Sequence, residues 1–257
     1  MNIHPTAIIH PGAELAEDVV VGPYAVIEDK VKVGRGTKIG AHAVIKSFAE
    51  IGEYNEIFQF ASIGDVPQDV KFKGEDSKLV VGDRNKIREY VTLNRGTVGG
   101  GGVTRIGSDC FILAYAHVAH DCIVEDHVVI VNAVQMGGHV HIEEHAVIGG
   151  LSALHQYIRI GRHSMTGGGS ILSQDAAPYT TVVGNRARAS GLNLVGITRR
   201  GFTPETIAAL KKAYRVIFRT KATVKEAREL LASEAAAFPE VNHMLEFVET
   251  TVRGVCR

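Results

Sequence analysis

The sequence predicts a mainly β protein in which a parallel β-helix of short strands is followed by a C-terminal α-helical domain. Three observations support this prediction. Aliphatic residues recur every six positions through most of the first 185 residues. The chain has 28 glycines among its 257 residues and no tryptophan, which suits a fold with many tight turns. Near the C-terminus a helical periodicity replaces the six-residue repeat.

The six-residue repeat begins at Ile3. A helix needs a period of about 3.6 residues and a plain strand a period of two, so this repeat fits neither. Short strands separated by turns do fit it, and three of them close one coil of the chain. Coils stacked about 4.8 Å apart bury one large side chain per strand along the axis. The later inward positions are Ile9, Leu15, Val21, Ile27, Val33, Ile39, Ile45, Ile51, Ile57, Ile63, Val81, Ile87, Leu93, Ile106, Ile112, Val118, Val124, Ile130, Met136, Ile142, Ile148, Leu154, Ile160, Thr166 and Leu172.

Two interruptions of the repeat predict excursions from the coils. In the first, at about residues 64–80, the in-phase Asp69 and Glu75 would be buried unpaired charges if the coil continued. The second, at about residues 96–105, contains four consecutive glycines, and we expect a flexible loop there. Loops on a rigid scaffold often carry function, although insertions without a role are the alternative.

The repeat stops after Pro178, and we place the end of the β-helix domain, residues 1–185, close to that point. Thr203, Pro204 and Glu205 have the cap, the first-turn proline and the early acid that begin many helices. A connecting segment and a small helical domain therefore occupy residues 186–257. Within this domain we predict helices over residues 205–219, 224–238 and 239–254.

Charge and composition exclude several classes of function. The 28 basic and 28 acidic side chains cancel, so no net charge favours nucleic acid or an anionic membrane. No window approaches the roughly 18 apolar residues that span a bilayer, and the N-terminus lacks the pattern of a signal peptide. Cys110, Cys122 and Cys256 show no metal-ligand spacing, and an odd number of cysteines is typical of a reducing compartment. We expect a cytoplasmic protein with no stable membrane insertion, no metal and no other cofactor.

A group of histidines predicts the chemistry. Residues one coil apart lie about 5 Å from each other, which places His120 over Gly138, Asp121 over His139, and His155 at the same corner. Such a group offers a general base, a carboxylate that orients it, and a main-chain amide for an oxyanion. An isolated surface histidine usually has no role, so the prediction depends on the cluster. No Ser or Cys is placed as a nucleophile, which favours direct attack of a substrate hydroxyl on an acyl donor.

Several segments resemble known families. The repeat resembles that of the bacterial hexapeptide transferases, which implies a left-handed coil. The chain also resembles, over nearly its whole length, the UDP-N-acetylglucosamine 3-O-acyltransferases of lipid A biosynthesis. This resemblance implies a homotrimer that takes a 3-hydroxyacyl group from acyl carrier protein and a UDP-sugar as acceptor. The segments that carry it are, in order, IFQFASIGDVPQDVKFKGE, VTLNRGTVGGGG, AYAHVAHDC, GGHVHIEEHAVIGG, LHQY and GLNLVGITRRGF.

The family resemblance also implies residue roles. His120 takes the proton of the 3-hydroxyl group, Asp121 steadies the imidazolium, and the amide of Gly138 binds the oxyanion. Gly168 occupies the position that limits acyl length, and a glycine there predicts a long 3-hydroxyacyl chain. The implied substrate-binding residues, some from a neighbouring subunit, are Gln68, Asp69, Lys71, His117 and His139 for the sugar and His155, Gln156, Asn193 and Arg200 for the nucleotide. The basic residues that could receive the acidic carrier are Arg199, Arg200, Lys211, Lys212, Arg215 and Arg219, with an ordinary solvated helix face as the alternative.

Two departures from the family pattern leave alternatives open. Asn94 stands where many relatives have a histidine before the RGT sequence, and Val195 stands where many have a glutamate. Transfer to the 3-amino group of a related sugar is therefore one alternative. A zinc γ-type carbonic anhydrase with His117, His120 and His139 as ligands is another, and a scaffold without chemistry is a third. Neither of these last two explains the polar excursions.

Overall fold

The computed structural model describes residues 2–257. Up to Leu172 the chain alternates short strands with turns, and each strand pairs in parallel with a strand of the neighbouring coil. The chain visits three sheets in turn, so these sheets form the three faces of a prism. The coils form a left-handed parallel β-helix, which confirms the predicted fold class.

The strands of each face are as follows. The first face contains β1 (Asn2–Ile3), β4 (Val20–Val21), β7 (Lys38–Ile39), β10 (Glu56–Ile57), β13 (Lys86–Ile87), β16 (Phe111–Ile112), β19 (Val129–Ile130), β22 (Val147–Ile148), β25 (Met165–Thr166), β27 (Thr180–Val183) and β28 (Arg188–Leu192). The second contains β2 (Ile8–Ile9), β5 (Val26–Ile27), β8 (Val44–Ile45), β11 (Ser62–Asp65), β14 (Thr92–Asn94), β17 (His117–Val118), β20 (Gln135–Met136), β23 (Ala153–Leu154) and β26 (Ile171–Leu172). The third contains β3 (Glu14–Leu15), β6 (Lys32–Val33), β9 (Ala49–Ile51), β12 (Lys78–Val81), β15 (Val103–Ile106), β18 (Ile123–Val124), β21 (His141–Ile142) and β24 (Arg159–Ile160).

The aliphatic residues of the repeat form the core of the prism. Their side chains are buried from Val21 to Leu172, whereas Ile3 in the first coil is 39% exposed. Burial of each such side chain contributes about 1.5–3 kcal/mol, so the stacked coils have a continuous source of stability along the axis. The two irregular in-phase residues, Met136 and Thr166, are buried as well.

The corners of the prism pass through left-handed backbone conformations, with φ near +60° at non-glycine residues. Rings at equivalent corners stack on one another from coil to coil. The longest such column joins Tyr24, His42, Phe60, Tyr90 and Tyr115, with ring centroids 4.8–5.1 Å apart. Stacking of this kind offsets part of the cost of the left-handed turn.

A second corner column contains His127, His145 and His163, whose neighbouring rings are 4.6 and 4.8 Å apart. A third corner carries Asp121, His139 and Tyr157. The repeat therefore arranges polar and aromatic side chains in columns as regularly as it arranges the core.

Two segments leave the coils. The first lies within its predicted range of about 64–80, and the second begins one residue before its predicted range of about 96–105 and ends where β15 starts at Val103. The first connects β11 to β12 through residues 66–77, so Ile51 pairs with Val81 in place of a residue eighteen positions later. The second connects β14 to β15 through residues 95–102 and contains a 3-10 turn at Val98–Gly100. Both segments leave the chain after a strand of the second face and return it at a strand of the third face.

The C-terminal part differs from the prediction in several respects. The predicted boundary at residue 185 lies inside a hairpin, because β28 pairs antiparallel with β27. The connecting segment also contains an unpredicted helix, and the helix predicted over residues 224–238 is interrupted at Leu231, which packs into the domain core. The last predicted helix ends at Glu249 rather than 254. The helices are α1 (Leu194–Arg199), α2 (Pro204–Arg219), α3 (Val224–Leu230), α4 (Ala232–Ala237) and α5 (Pro239–Glu249).

Helix α2 confirms the predicted start, since the Thr203 side chain accepts a hydrogen bond from the Thr206 amide and Pro204 opens the helix. The helical domain has its own core, which includes Leu210, Leu231 and Met244. Within residues 2–257, no helix combines the length and apolar character needed to cross a membrane.

Candidate active site

Asp121 is the best-anchored residue of the predicted histidine cluster. Its side chain is 0% exposed. Oδ2 accepts hydrogen bonds from Nδ1 of His120 at 2.8 Å and from the Thr97 hydroxyl at 2.7 Å, and Oδ1 accepts one from the Thr97 main-chain N–H at 2.8 Å. These donors stabilise a carboxylate that burial would otherwise destabilise.

The bond to Asp121 sets the protonation pattern of His120. A neutral imidazole that donates from Nδ1 keeps a lone pair on Nε2, the form that a general base requires. The ring is only 13% exposed and lies against Gly138, where an added Cβ would come 2.5 Å from Cε1 of His120. Only glycine allows the ring and the backbone to approach this closely.

The main-chain N–H of Gly138 lies beside this ring. It donates no hydrogen bond to another group within residues 2–257, whereas the carbonyl of Gly138 accepts one from Tyr157. A free amide next to a base is the arrangement that binds a developing oxyanion. The predicted catalytic group of His120, Asp121 and Gly138 is therefore assembled in one place.

Two further histidines border His120. The ring of His139 stacks on Tyr157 at 4.2 Å, meets His120 edge-on at 5.2 Å, and has Nε2 3.8 Å from Oδ2 of Asp121. Burial lowers the pKa of His139 and outweighs the attraction of Asp121. Burial also lowers the pKa of His117, and the neighbouring His120 adds to this effect. The Nδ1 atom of His117 bonds the Thr92 hydroxyl at 2.7 Å. Neutral imidazoles of this kind can donate to or accept from sugar hydroxyl groups.

The first excursion returns close to this corner. Asp69 accepts a hydrogen bond from the Lys71 amide at 3.0 Å, and its carboxylate acts electrostatically on His139. Gln68 and Lys71 are exposed on the same turn. Three of the predicted sugar-binding residues therefore lie on a single turn near the cluster.

The side chain of Asn94 anchors the start of the first excursion. Its side-chain amide donates to the carbonyl of Val66 at 2.6 Å and to that of Asp65 at 3.3 Å. The next residue, Arg95, lies over the rings of Phe48 and Phe72 at 5.2 and 5.6 Å. The departure from the family pattern at Asn94 therefore has a structural consequence. The side-chain amide of Asn94 holds the start of the first excursion by two hydrogen bonds.

The predicted nucleotide-binding residues Asn193 and Arg200 lie at another corner of the prism. Asn193, Arg199 and Arg200 line a cavity of about 350 Å³ together with His145 and His163. These histidines belong to the second corner column, not to the corner of Asp121 and His139. Sequence reasoning missed them, although their spacing of eighteen residues, shared with His127, was visible.

The other two predicted nucleotide-binding residues, His155 and Gln156, are exposed, and the His155 ring bonds the carbonyl of Gln156 at 3.0 Å. His155 was expected to gather with His120, and it lies two residues before Tyr157, whose ring stacks on that of His139.

Residues that could hold a metal differ from those of the zinc alternative. Among residues 2–257, His120, Asp121 and His139 offer ligand atoms within 4.8 Å of one another, and His117 is not part of that group. Both oxygens of Asp121 already accept hydrogen bonds. This donor set fits a base and its orienting carboxylate better than it fits the proposed three-histidine zinc site.

The cysteine nearest the cluster is not a nucleophile. Cys122 is buried, its thiol donates to the carbonyl of Gly137, and burial raises its pKa to about 12. Gly168, the predicted acyl-length position, is exposed, and an added Cβ would come 3.3 Å from the carbonyl oxygen of Gly150. A side chain at residue 168 would therefore extend over the surface beside Gly150.

Comparisons with known proteins identify the family of this chain. A family model described as UDP N-acetylglucosamine O-acyltransferase, domain 2, matches residues 175–256, and a bacterial transferase hexapeptide model matches residues 12–47 and 104–138. The acyl-carrier-protein–UDP-N-acetylglucosamine O-acyltransferase of Thermodesulfovibrio yellowstonii is 49% identical over 256 residues, covering 100% of this chain and 99% of the relative. That of Thiobacillus denitrificans is 46% identical with the same coverage.

Solved structures give the same result. LpxA from Acinetobacter baumannii superposes with a TM-score of 0.97 at 44% identity and covers 99% of each chain. UDP-N-acetylglucosamine O-acyltransferase from Moraxella catarrhalis superposes with a TM-score of 0.97 at 41% identity and covers 100% of each chain.

Proposed function

Because this chain belongs to the UDP-N-acetylglucosamine O-acyltransferase family, we propose that His120 is the general base of its acyl-transfer reaction. The enzyme transfers an acyl group from acyl carrier protein to UDP-N-acetylglucosamine, the first step of lipid A biosynthesis. This activity and the family are those that the sequence predicted. The roles of individual residues, the acceptor atom and the assembly belong to the proposal.

The observation that carries the proposal is the bond from Nδ1 of His120 to Asp121, next to the free amide of Gly138. Nε2 of His120 removes the proton from the 3-hydroxyl group while that oxygen attacks the thioester carbonyl. The Gly138 N–H stabilises the oxyanion of the tetrahedral intermediate. The intermediate then collapses, the C–S bond breaks, and the imidazolium returns its proton to the carrier's thiolate. Asp121 stabilises the imidazolium between these two proton transfers.

Substrate binding requires more than one chain in this proposal. Asp69, Lys71 and His139, together with Gln68 and His117, bind the sugar near His120. The nucleotide binds to Asn193 and Arg200, which line the cavity at the second corner column beside Arg199, and to His155 and Gln156. In a homotrimer with sites between subunits, the nucleotide-binding residues of one chain lie next to His120 of the neighbouring chain. The enzyme works in the cytoplasm, where acyl carrier protein supplies the acyl chain. The basic residues of α1 and α2 bind the acidic carrier protein.

The acceptor atom is tested by comparing UDP-N-acetylglucosamine with its 3-amino analogue. Asn94 bonds the carbonyls of Asp65 and Val66, so its amide is occupied by the excursion rather than by the acceptor. We therefore expect the hydroxyl sugar to be acylated. The measurement is kcat/KM for both acceptors with 3-hydroxyacyl carrier protein as donor. Acylation of the amino sugar alone would overturn the assignment of the 3-hydroxyl group.

A further inference from the structure

The second excursion closes over the carboxylate of Asp121. Thr97 donates to Asp121 from both its main-chain N–H and its hydroxyl. Thr97 is in turn held by its own loop, since its carbonyl accepts a hydrogen bond from Gly102 at 2.7 Å and its hydroxyl oxygen one from Gly100 at 3.1 Å. The 3-10 turn that begins after Thr97 therefore fastens both donors in place.

The glycines of this loop differ sharply in what surrounds them. A Cβ added at Gly100 would lie 2.0 Å from Cγ of Asp121, and one added at Gly96 would lie 2.8 Å from Oδ1. A Cβ added at Gly99 would meet nothing within 4 Å. The loop backbone thus packs directly against the carboxylate at Gly100, where any side chain would displace it, while the adjacent position is open.

Asp121 depends on these contacts for its orientation. Among residues 2–257, the ionic partners of its carboxylate are His120 and His139, which carry charge only when protonated. Neutral donors from Thr97 therefore offset much of the cost of burying the charge when the histidines are neutral. The Thr97 amide occupies Oδ1, so Oδ2 remains the oxygen that faces His120.

We propose that Thr97 and Gly100, in the loop of residues 95–102, form a clamp that positions Asp121 for catalysis. This inference rests on the proposed role of His120 and Asp121. It gives the glycine-rich loop a function that does not require contact with the substrate. The clamp maintains the orientation of the carboxylate, which fixes the tautomer and the ring position of His120.

The first test uses a matched pair of loop variants, Gly99→Ala and Gly100→Ala. Gly100→Ala displaces the carboxylate, so kcat should fall about tenfold or more while KM for each substrate changes less than about twofold. Gly99→Ala should retain the wild-type kcat. Equal kcat values for the two variants would overturn the clamp, and a large rise in KM would indicate that the loop binds substrate instead.

The second test asks whether Thr97 acts through Asp121. Thr97→Val removes the hydroxyl donor and should lower kcat about tenfold, whereas Thr97→Ser should restore most of it. In the Asp121→Asn background, Thr97→Val should change kcat less than about twofold, because the effects of residues that act as one unit are not additive. A full tenfold loss in that background would show that Thr97 acts elsewhere and would contradict the proposal.

The two proposals fail in different ways. If His120→Ala remains active, the proposed base is wrong. If His120→Ala is inactive but Gly100→Ala matches Gly99→Ala, the base is right and the clamp is wrong. Thermal unfolding of Gly100→Ala and Thr97→Val, compared with the wild type, distinguishes a loss of positioning from a loss of the fold.

Discussion

At the corner of the coil, Asp121 adopts φ of +59°, a conformation that aspartate tolerates better than most residues. Its neighbour His139 stands at the same corner one coil later with φ of +61°. Side chains at such corners repeat at the coil spacing, so a corner residue faces the ones directly before and after it. This local geometry explains why a base, a carboxylate and a second imidazole can gather on the convex surface of a prism.

A residue-scale prediction concerns acyl length. Gly168 is exposed beside Gly150, and Gly168→Met would place a side chain across that surface. If the acyl chain lies there, the variant should favour shorter donors, because each methylene that loses its buried contact costs about 0.8 kcal/mol. The measurement is kcat/KM for 3-hydroxyacyl carrier proteins of several chain lengths. An unchanged preference would remove Gly168 from the acyl site.

Much of the cluster could be predicted from the sequence, because the coil length determines which residues are neighbours. The pairs His120–Gly138 and Asp121–His139 follow from that spacing alone. Thr97 could not be found in this way, since it lies on an excursion whose path the repeat does not determine. The spacing brought His155 to the same corner, but it could not show that this ring bonds its own neighbour, Gln156.

At the scale of elements, a ladder of buried polar side chains connects successive coils. Asn55 donates to the carbonyl of Gly82 and accepts a hydrogen bond from the Asn85 amide. Asn85 then donates to the carbonyl of Gly107 and accepts one from the Cys110 amide, at 2.9 and 2.8 Å. Each asparagine therefore supplies hydrogen-bond partners to main-chain groups of the following coil. These are the coils in which the excursions change the spacing of the repeat.

Removal of one step of this ladder should destabilise the prism. Asn85→Ala leaves the carbonyl of Gly107 and the amide of Cys110 without this partner, and unsatisfied buried groups cost about 1–3 kcal/mol each. The free energy of unfolding, measured by urea denaturation, should fall by about 3 kcal/mol. The exposed Asn132→Ala is the control and should change it by less than about 0.5 kcal/mol. Equal stabilities of the two variants would contradict a structural role for the ladder.

The elements that sequence reasoning missed depend on contacts between distant residues. Strand β28, RASGL, has no alternating apolar pattern and exists because it pairs with β27. The interruption at Leu231 places a fully buried side chain in the helical core. The short strands and α2, in contrast, carry their own signals in the repeat and in the Thr203–Pro204 start.

At the scale of the whole molecule, buried polar groups join the helical domain to the last coils. Asp175 accepts hydrogen bonds from the Arg159 amide at 2.8 Å and from the Thr251 hydroxyl at 2.7 Å. The Arg159 guanidinium also donates a hydrogen bond to the carbonyl of Phe247 at 2.7 Å. A second link is the bond from His243 on α5 to Glu143 in the prism, at 2.8 Å. These links fix the domain that carries the basic helix faces.

The link through Glu143 predicts a pH dependence of stability. Burial alone would raise the pKa of Glu143, but hydrogen bonds from His243 and from the Arg162 amide together lower it. A pKa below the unfolded value, about 4.3, means that ionised Glu143 stabilises the fold above that pH and that the contribution is lost as pH falls through the folded pKa.

The variant Glu143→Gln isolates this contribution. Its deficit in free energy of unfolding, relative to the wild type, should be largest near pH 6 and should shrink as the pH falls below about 4. Urea denaturation of both proteins across this range measures the deficit. If the deficit in free energy of unfolding grows as the pH falls, ionised Glu143 does not stabilise the fold.

The most direct test of the whole account is the rate of acyl transfer by His120→Ala in a single turnover, with the enzyme in excess over 3-hydroxyacyl carrier protein and with saturating UDP-N-acetylglucosamine. His10→Ala, at an exposed histidine of the first coils, is the matched control. Loss of the base should lower the rate about a hundredfold or more, and the control should keep the wild-type rate. Transfer by His120→Ala within a few-fold of the wild type would contradict the assignment of His120 as the base.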